Sequence, residues 1–173
     1  MGDTPHADVE PWLRGTLKDV DAVTRGVVHA LELAGEDVVK WCEGLTHAEM
    51  NARPFGLAPV AFHVRHIARS LDRLLSYAEG TQLDATQKAA LRTELDDGAT
   101  RHGLLAELAS ALRTSADRVR AFSPEHYNAT RGVGRAALPT TLGGLLVHCA
   151  EHTQRHVGQV VTTAKLIIAM RSC

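Results

Sequence analysis

Several signatures are missing from this sequence, and each absence removes a class of function. No Ser-His-Asp arrangement, phosphate-binding glycine loop or paired-carboxylate motif is visible, so the common hydrolase and nucleotide-binding readings have no anchor. Only three cysteines occur, Cys42, Cys149 and Cys173, with no CxxC pair. That odd, sparse set reads as reduced thiols and predicts a cytoplasmic location. No apolar run approaches the length of a membrane span, so no membrane association is expected. The first six residues, Met-Gly-Asp-Thr-Pro-His, lack the basic start and apolar core of a signal peptide. A formal net charge of -1 over 173 residues offers no broad attraction for nucleic acid, and the arginines are scattered among acids.

What is present is a core and a helical rhythm. Hydrophobic residues make up 45% of the chain and charged residues 23%, the balance of one globular domain spanning residues 1–173. Residues 1 to about 10 read as a loose, polar lead-in. Leu13, Leu17, Val20, Val23, Val27, Leu31, Val38 and Trp41 recur at three- and four-residue steps and predict a helix over residues 11–44, with a kink at Gly35. Thr46 and Glu49 have capping-box spacing and predict a short turn of helix. A second long helix is expected over residues 58–78, with Val60, Val64, Ile67, Leu71, Leu74 and Leu75 facing the core. Asp84 and Gln87 cap a third, over residues 84–121, which Asp97-Gly98 divides. Residues 123–139 read as a loop with short extended pieces. Thr140 or Thr141 caps a fourth helix that runs to about Met170. Four long helices and no convincing strand pattern predict an all-α, four-helix bundle.

The chemistry concentrates in the fourth helix, where His148, His152 and His156 recur every fourth residue. Four residues rise about 6 Å on one helix face, so two such imidazoles can close on one metal ion. Leu145, Cys149, Gln159, Thr163, Leu166, Ile167 and Met170 lie near the same side, which directs the histidines into an apolar stripe. A buried imidazole needs a partner for each ring nitrogen, and three stacked on one helix find them with difficulty unless a metal intervenes. His63 and His66 lie along one flank of the second helix; spacing does not choose between them as a further ligand. His29, His47, His102 and His126 read as surface or partly buried residues. The opposite side of the fourth helix carries Ala150, Val157, Val161 and Ile168, and a helix apolar nearly all round is covered on both sides: one by its own bundle, the other by a second subunit in a homodimer or by a neighbouring helix or the irregular loop.

Two segments are similar to motifs of the DinB/YfiT-like family of metal-dependent helical-bundle proteins. One is Phe62-His63-Val64-Arg65-His66-Ile67-Ala68-Arg69-Ser70-Leu71-Asp72-Arg73; the other is His148-x3-His152-x3-His156-x-Gly158-Gln159. The resemblance implies a metal triad of one histidine from the second helix and two from the last, which here are His66, His152 and His156. It selects His66 over His63 by the His-Ile-Ala-x-Ser run, and makes His148 a neighbour of the site. The metal implied is divalent (Zn, Ni, Fe or Mn), since three nitrogens do not discriminate among these ions. The activity implied is a low-molecular-weight-thiol-dependent S-transferase or isomerase acting on a small-molecule substrate. The alternative is a non-catalytic metal-binding or stress-response bundle protein. In either case Gln159 could orient a ligand, Arg65 or Arg69 could take an acidic substrate group unless each is a solvated flank residue, and Cys149 reads as a small core residue.

Overall fold

The computed structural model describes residues 9–171. Most of the expected lead-in, and Cys173, fall outside the described residues. Among the described residues there are six α-helices: α1 (Ala22–Cys42), α2 (His47–Asn51), α3 (Val60–Ala78), α4 (Ala85–Arg92), α5 (Arg101–Arg120) and α6 (Leu142–Met170), with a hairpin of β1 (Thr130–Val133) and β2 (Leu138–Thr141) before α6. The architecture is all-α, and α1, α3, α5 and α6 make the four-helix bundle.

Both capping boxes form as the sequence predicts. Thr46 Oγ1 accepts from the Glu49 amide while Glu49 accepts from the Thr46 amide, and Asp84 and Gln87 do the same at α4. Thr141 caps α6 by accepting from the Gly144 amide. The expected third helix is two, separated by an irregular segment over residues 93–100. The first helix starts eleven residues later than its apolar rhythm suggests. Gly15 (φ 67°) and Leu17 (φ 55°) turn the backbone into the left-handed region, and Asp21 opens α1 by accepting from the amides of Val23 and Thr24. Leu17 and Val23 still pack against the core, which is why the rhythm continues through a stretch that is not helix. Gly35 does not kink α1; a Cβ there would stand 3.2 Å from Leu112 Cδ1, so the glycine admits a close approach of α5.

Around the bundle the order is α1, α6, α3, α5, each packed on the next, with α5 closing on α1. Gln154 donates to the Ala30 carbonyl and the Lys165 ammonium lies 4.6 Å from the Trp41 ring centre, so α1 and α6 run parallel. His63 pairs with His156 and His66 with His152, so α3 runs against α6. Arg69 meets Glu107, and Glu79 meets Arg118, so α3 and α5 run parallel and need the α4 crossover between them. Leu31, Ile67, Leu71, Leu75, Leu104, Leu108 and Leu146 fill the middle, each at most 2% exposed. Burying one such side chain contributes roughly 1.5–3 kcal/mol, against about 0–1 for a surface ion pair, so this core holds the helices together.

The hairpin sets where α6 begins. Arg131 Nε donates to the Ala78 carbonyl at 2.6 Å, tying β1 to the end of α3. Tyr127 lies just ahead: its hydroxyl donates to Asp21 Oδ2 at 2.8 Å and lies 2.9 Å from Thr24 Oγ1, and its carbonyl accepts from the Gly143 amide at 2.9 Å. A Cβ on Gly143 would stand 3.2 Å from that carbonyl oxygen and 3.1 Å from Tyr127 Cβ. Gly143→Ala is therefore expected to lower stability by about 1–3 kcal/mol, read as a lower midpoint in urea; an unchanged midpoint would show that this contact relaxes freely.

Candidate functional site

The site lies between α3 and α6, in antiparallel contact. Helix α3 presents Phe62, His63 and His66; α6 presents His148, His152 and His156. One ring nitrogen from each of His66, His152 and His156 falls within 4.8 Å of the others, and all three side chains are half-buried. The ring centres are 5.2 Å apart for His66 and His152, 4.4 Å for His66 and His156, and 4.7 Å for His152 and His156.

The three sit in different hydrogen-bonding circumstances. His66 Nε2 is 3.0 Å from His152 Nε2. His66 Nδ1 is 2.7 Å from Glu94 Oε2, and Glu94 Oε1 accepts from Arg73 Nη1 at 2.6 Å. His63 is not in the triad; its Nδ1 lies 2.9 Å from His156 Nδ1, which leaves the other nitrogen of His156 for the site. Phe62 stacks on His66 with ring centres 5.3 Å apart and planes 26° apart, and turns its edge toward His63. His148 is 41% exposed at its side chain, pairs with Glu151 and stands beside His152 rather than in the triad.

Burial decides the charge state of this cluster. It lowers His63 to about 4, helped by the charge of His66. It lowers His152 to about 4 and His156 to about 3, with further contributions from neighbouring histidine and arginine side chains. Burial alone would raise Glu94, but the hydrogen bonds from His66 and Arg73 outweigh it and hold the carboxyl below its ordinary value. Near neutral pH His63, His152 and His156 are thus neutral, with lone pairs, and Glu94 is an acceptor only.

This has a consequence for stability. An unfolded histidine titrates near 6.5. As pH falls from about 6.5 toward about 4, the unfolded chain binds protons that the folded chain refuses, so unfolding is increasingly favoured. Above about 6.5 both states are neutral and the effect vanishes. A shift of one unit is worth about 1.4 kcal/mol. Allowing half of the shift for solvent screening, His63 alone lowers stability by roughly 1.5–2 kcal/mol across the window. A flat melting temperature for the metal-free protein between about pH 6.5 and 4 would contradict this assignment.

The donor set fits a divalent cation. Two imidazole nitrogens bound to one ion at about 2.0–2.1 Å stand roughly 3 Å or slightly more apart. The 3.0 Å between His66 Nε2 and His152 Nε2 is of that size.

Four expectations need correction. Arg65 is neither solvated nor open to a substrate: it is 4% exposed, and its Nη1 donates to the carbonyls of Thr93, Glu94 and Asp96. Arg69 is likewise engaged, with Glu107, the Ala90 carbonyl and Thr93 Oγ1. Gln159 is exposed rather than turned into the histidine cluster. His29 is buried at 5% exposure and lies 3.0 Å from Thr16 Oγ1. Cys149 is a core residue as expected, fully buried, its thiol pushed up to about 12 by burial, which leaves no thiolate near neutral pH. Sequence reasoning passed over Glu94 altogether. The available signal was the row Arg65, Arg69, Arg73, one face of α3 with more cation than a solvent flank requires.

Known proteins agree with this architecture. The family model described as the DinB superfamily matches residues 30–160, the span that holds all three triad histidines. A crystal structure of a conserved protein from Enterococcus faecalis superposes with a TM-score of 0.71, covering 87% of this chain and 99% of that one, at 22% identity; it supports the fold alone. No curated protein matches. By the match over residues 30–160, the chain belongs to the DinB superfamily.

Proposed function

We propose that the protein is a metal-dependent enzyme in which His66, His152 and His156 hold one divalent ion, and that it transfers a low-molecular-weight thiol to a small electrophile or isomerises one. The observation that carries this reading is the convergence of three imidazoles from two helices to within 4.8 Å. Zn, Ni, Fe and Mn all suit nitrogen donors. His66, His152 and His156 would hold such an ion with positions left open, and it would there supply Lewis-acid activation of a thiol or water.

The remaining roles belong to the chain. Burial keeps His152 and His156 neutral and able to donate lone pairs. The Phe62 ring covers one face of His66 and excludes water from it. Arg155 precedes His156 on α6, is 57% exposed at its side chain, and is among the charges felt by both His152 and His156. Its guanidinium is already paired with Glu151, so it is no free site for a substrate carboxylate. Cys149 takes no part, being a buried thiol.

The alternative reading is a metal-binding protein without turnover, which the convergence of the three histidines supports equally well. The two readings separate on thiol consumption. Metal-loaded protein is assayed with a panel of cellular thiols and model electrophiles, and turnover that His152→Ala abolishes is the expected result. Full metal occupancy with no turnover for any thiol would favour the second.

The same reading treats residues 1–173 as one cytoplasmic domain that forms a homodimer through helical faces. Cys42 and Cys149 are free thiols, no helix among the described residues is long and apolar enough to cross a membrane, and Val147 and Ile168 are exposed on α6 at 54% and 37%. A monomeric mass by light scattering would remove the dimer.

A further inference from the structure

We infer that Glu94 is a positioning residue for the triad: its carboxylate fixes His66 as the Nδ1–H tautomer, so that the Nε2 lone pair points to His152 and to any bound ion. This rests on the metal reading above and deepens it, but its core is a property of the chain alone.

Glu94 is 5% exposed, and a buried carboxylate is costly unless it is paired and hydrogen-bonded. A partner for Arg73 alone would meet the guanidinium with both oxygens, in the bidentate fork that such pairs favour. Here the two oxygens are divided. Oε1 accepts from Arg73 and Oε2 from His66 Nδ1. An ionised carboxylate only accepts, so the proton of this hydrogen bond sits on Nδ1. The neutral ring then has its lone pair on Nε2, the nitrogen 3.0 Å from His152 Nε2.

Helix α3 also fixes the segment that carries the carboxylate. Glu94 belongs to an irregular segment, which by itself would not hold a side chain in register. Arg65 donates to the Thr93, Glu94 and Asp96 carbonyls, Arg69 to the Ala90 carbonyl and Thr93 Oγ1, and Arg73 to Glu94 itself. Three arginines one turn apart on one helix thus hold a single segment, and His66 stands on that helix beside them. A histidine ligand is commonly oriented in this way, by a carboxylate on its far nitrogen, and loss of such a partner typically weakens metal binding 10–100-fold.

Glu94→Gln tests this, because a primary amide has one accepting oxygen and one donating nitrogen. Arg73 can only donate, so it takes the oxygen; the amide nitrogen then faces His66 Nδ1, which must become the acceptor. The variant is expected to move the His66 proton from Nδ1 to Nε2, seen in the ring ¹⁵N shifts of the metal-free protein above the histidine titration range. Zinc affinity by chelator competition is expected to fall about 10–100-fold, with partial recovery in Glu94→Asp, which keeps two acceptors. A zinc affinity in Glu94→Gln within twofold of the parent would overturn the inference, since a purely structural Glu94 would cost stability and not affinity. If Glu94→Gln fails to fold, the parent decides: a neutral His66 carrying its proton on Nε2 contradicts the inference, and on Nδ1 supports it. A parent that binds no zinc would sink the metal reading, while the tautomer still judges the hold of Glu94 on His66.

Discussion

His152→Ala is expected to purify folded and to have lost its metal. His152 is half-buried and offers one of the three nitrogens, so on the proposed reading its removal would leave two ligands and open the site to water. The fall in zinc affinity should exceed the 10–100-fold typical of an outer-shell change. His156→Ala should do the same and carry an added cost of about 1–3 kcal/mol, because it strips the buried His63 Nδ1 of its partner 2.9 Å away. His148→Ala is the control. With a side chain 41% exposed and outside the triad, it should bind zinc within a few-fold of the parent. Competition against a chelator of known affinity, with circular dichroism to establish folding, measures all three. Equal affinities for His148→Ala and His152→Ala would remove the distinction on which the triad depends.

Arg65→Met is expected to have the largest effect on stability of any substitution away from the leucine core. The methionine keeps much of the packing volume and removes the donor. Three carbonyls, of Thr93, Glu94 and Asp96, then lose their partner in a part-buried setting. An unmet buried acceptor costs about 1–3 kcal/mol, and charged donors make the stronger bonds. Water will reach some of these carbonyls, and Arg65 Nε has no partner at present, which offsets part of the loss. A net loss of about 2–4 kcal/mol follows, or roughly 5–15 °C in melting temperature for a chain of this length. The same variant should bind zinc less tightly, since the segment that carries Glu94 would slacken. Lost stability with unchanged affinity would show that Arg65 serves the fold alone.

The sequence disclosed local features well and non-local ones poorly. Capping boxes at Thr46 and Asp84 are contacts between residues three apart, and both form. The break near Asp97-Gly98 is likewise a local property and separates α4 from α5. The pair His152 and His156 is legible because a helix alone brings i and i+4 to one face. Which α3 histidine meets them depends on how α3 and α6 are phased, which no spacing within α3 records; the family resemblance pointed to His66, and the structure brings His66 to the pair and His63 behind His156. Arg65 misleads for the same reason. A cation on a helix flank reads as solvated until the segment that covers the flank is in place. Glu94 sits in no motif, and its role exists only once residues 93–96 fold back over α3. Spacing does not reveal the start of α1, because Leu13, Leu17 and Val20 keep a helical rhythm while Gly15 and Leu17 break the backbone.

The central claim is that one cation sits among three imidazoles between α3 and α6. Anomalous X-ray diffraction at the zinc edge, from crystals grown with zinc, tests it most directly. The account predicts one strong peak per chain, about 2.0–2.1 Å from a nitrogen of each of His66, His152 and His156. A peak elsewhere on the surface with the three rings hydrogen-bonded only to protein, or no peak at saturating zinc, would contradict it.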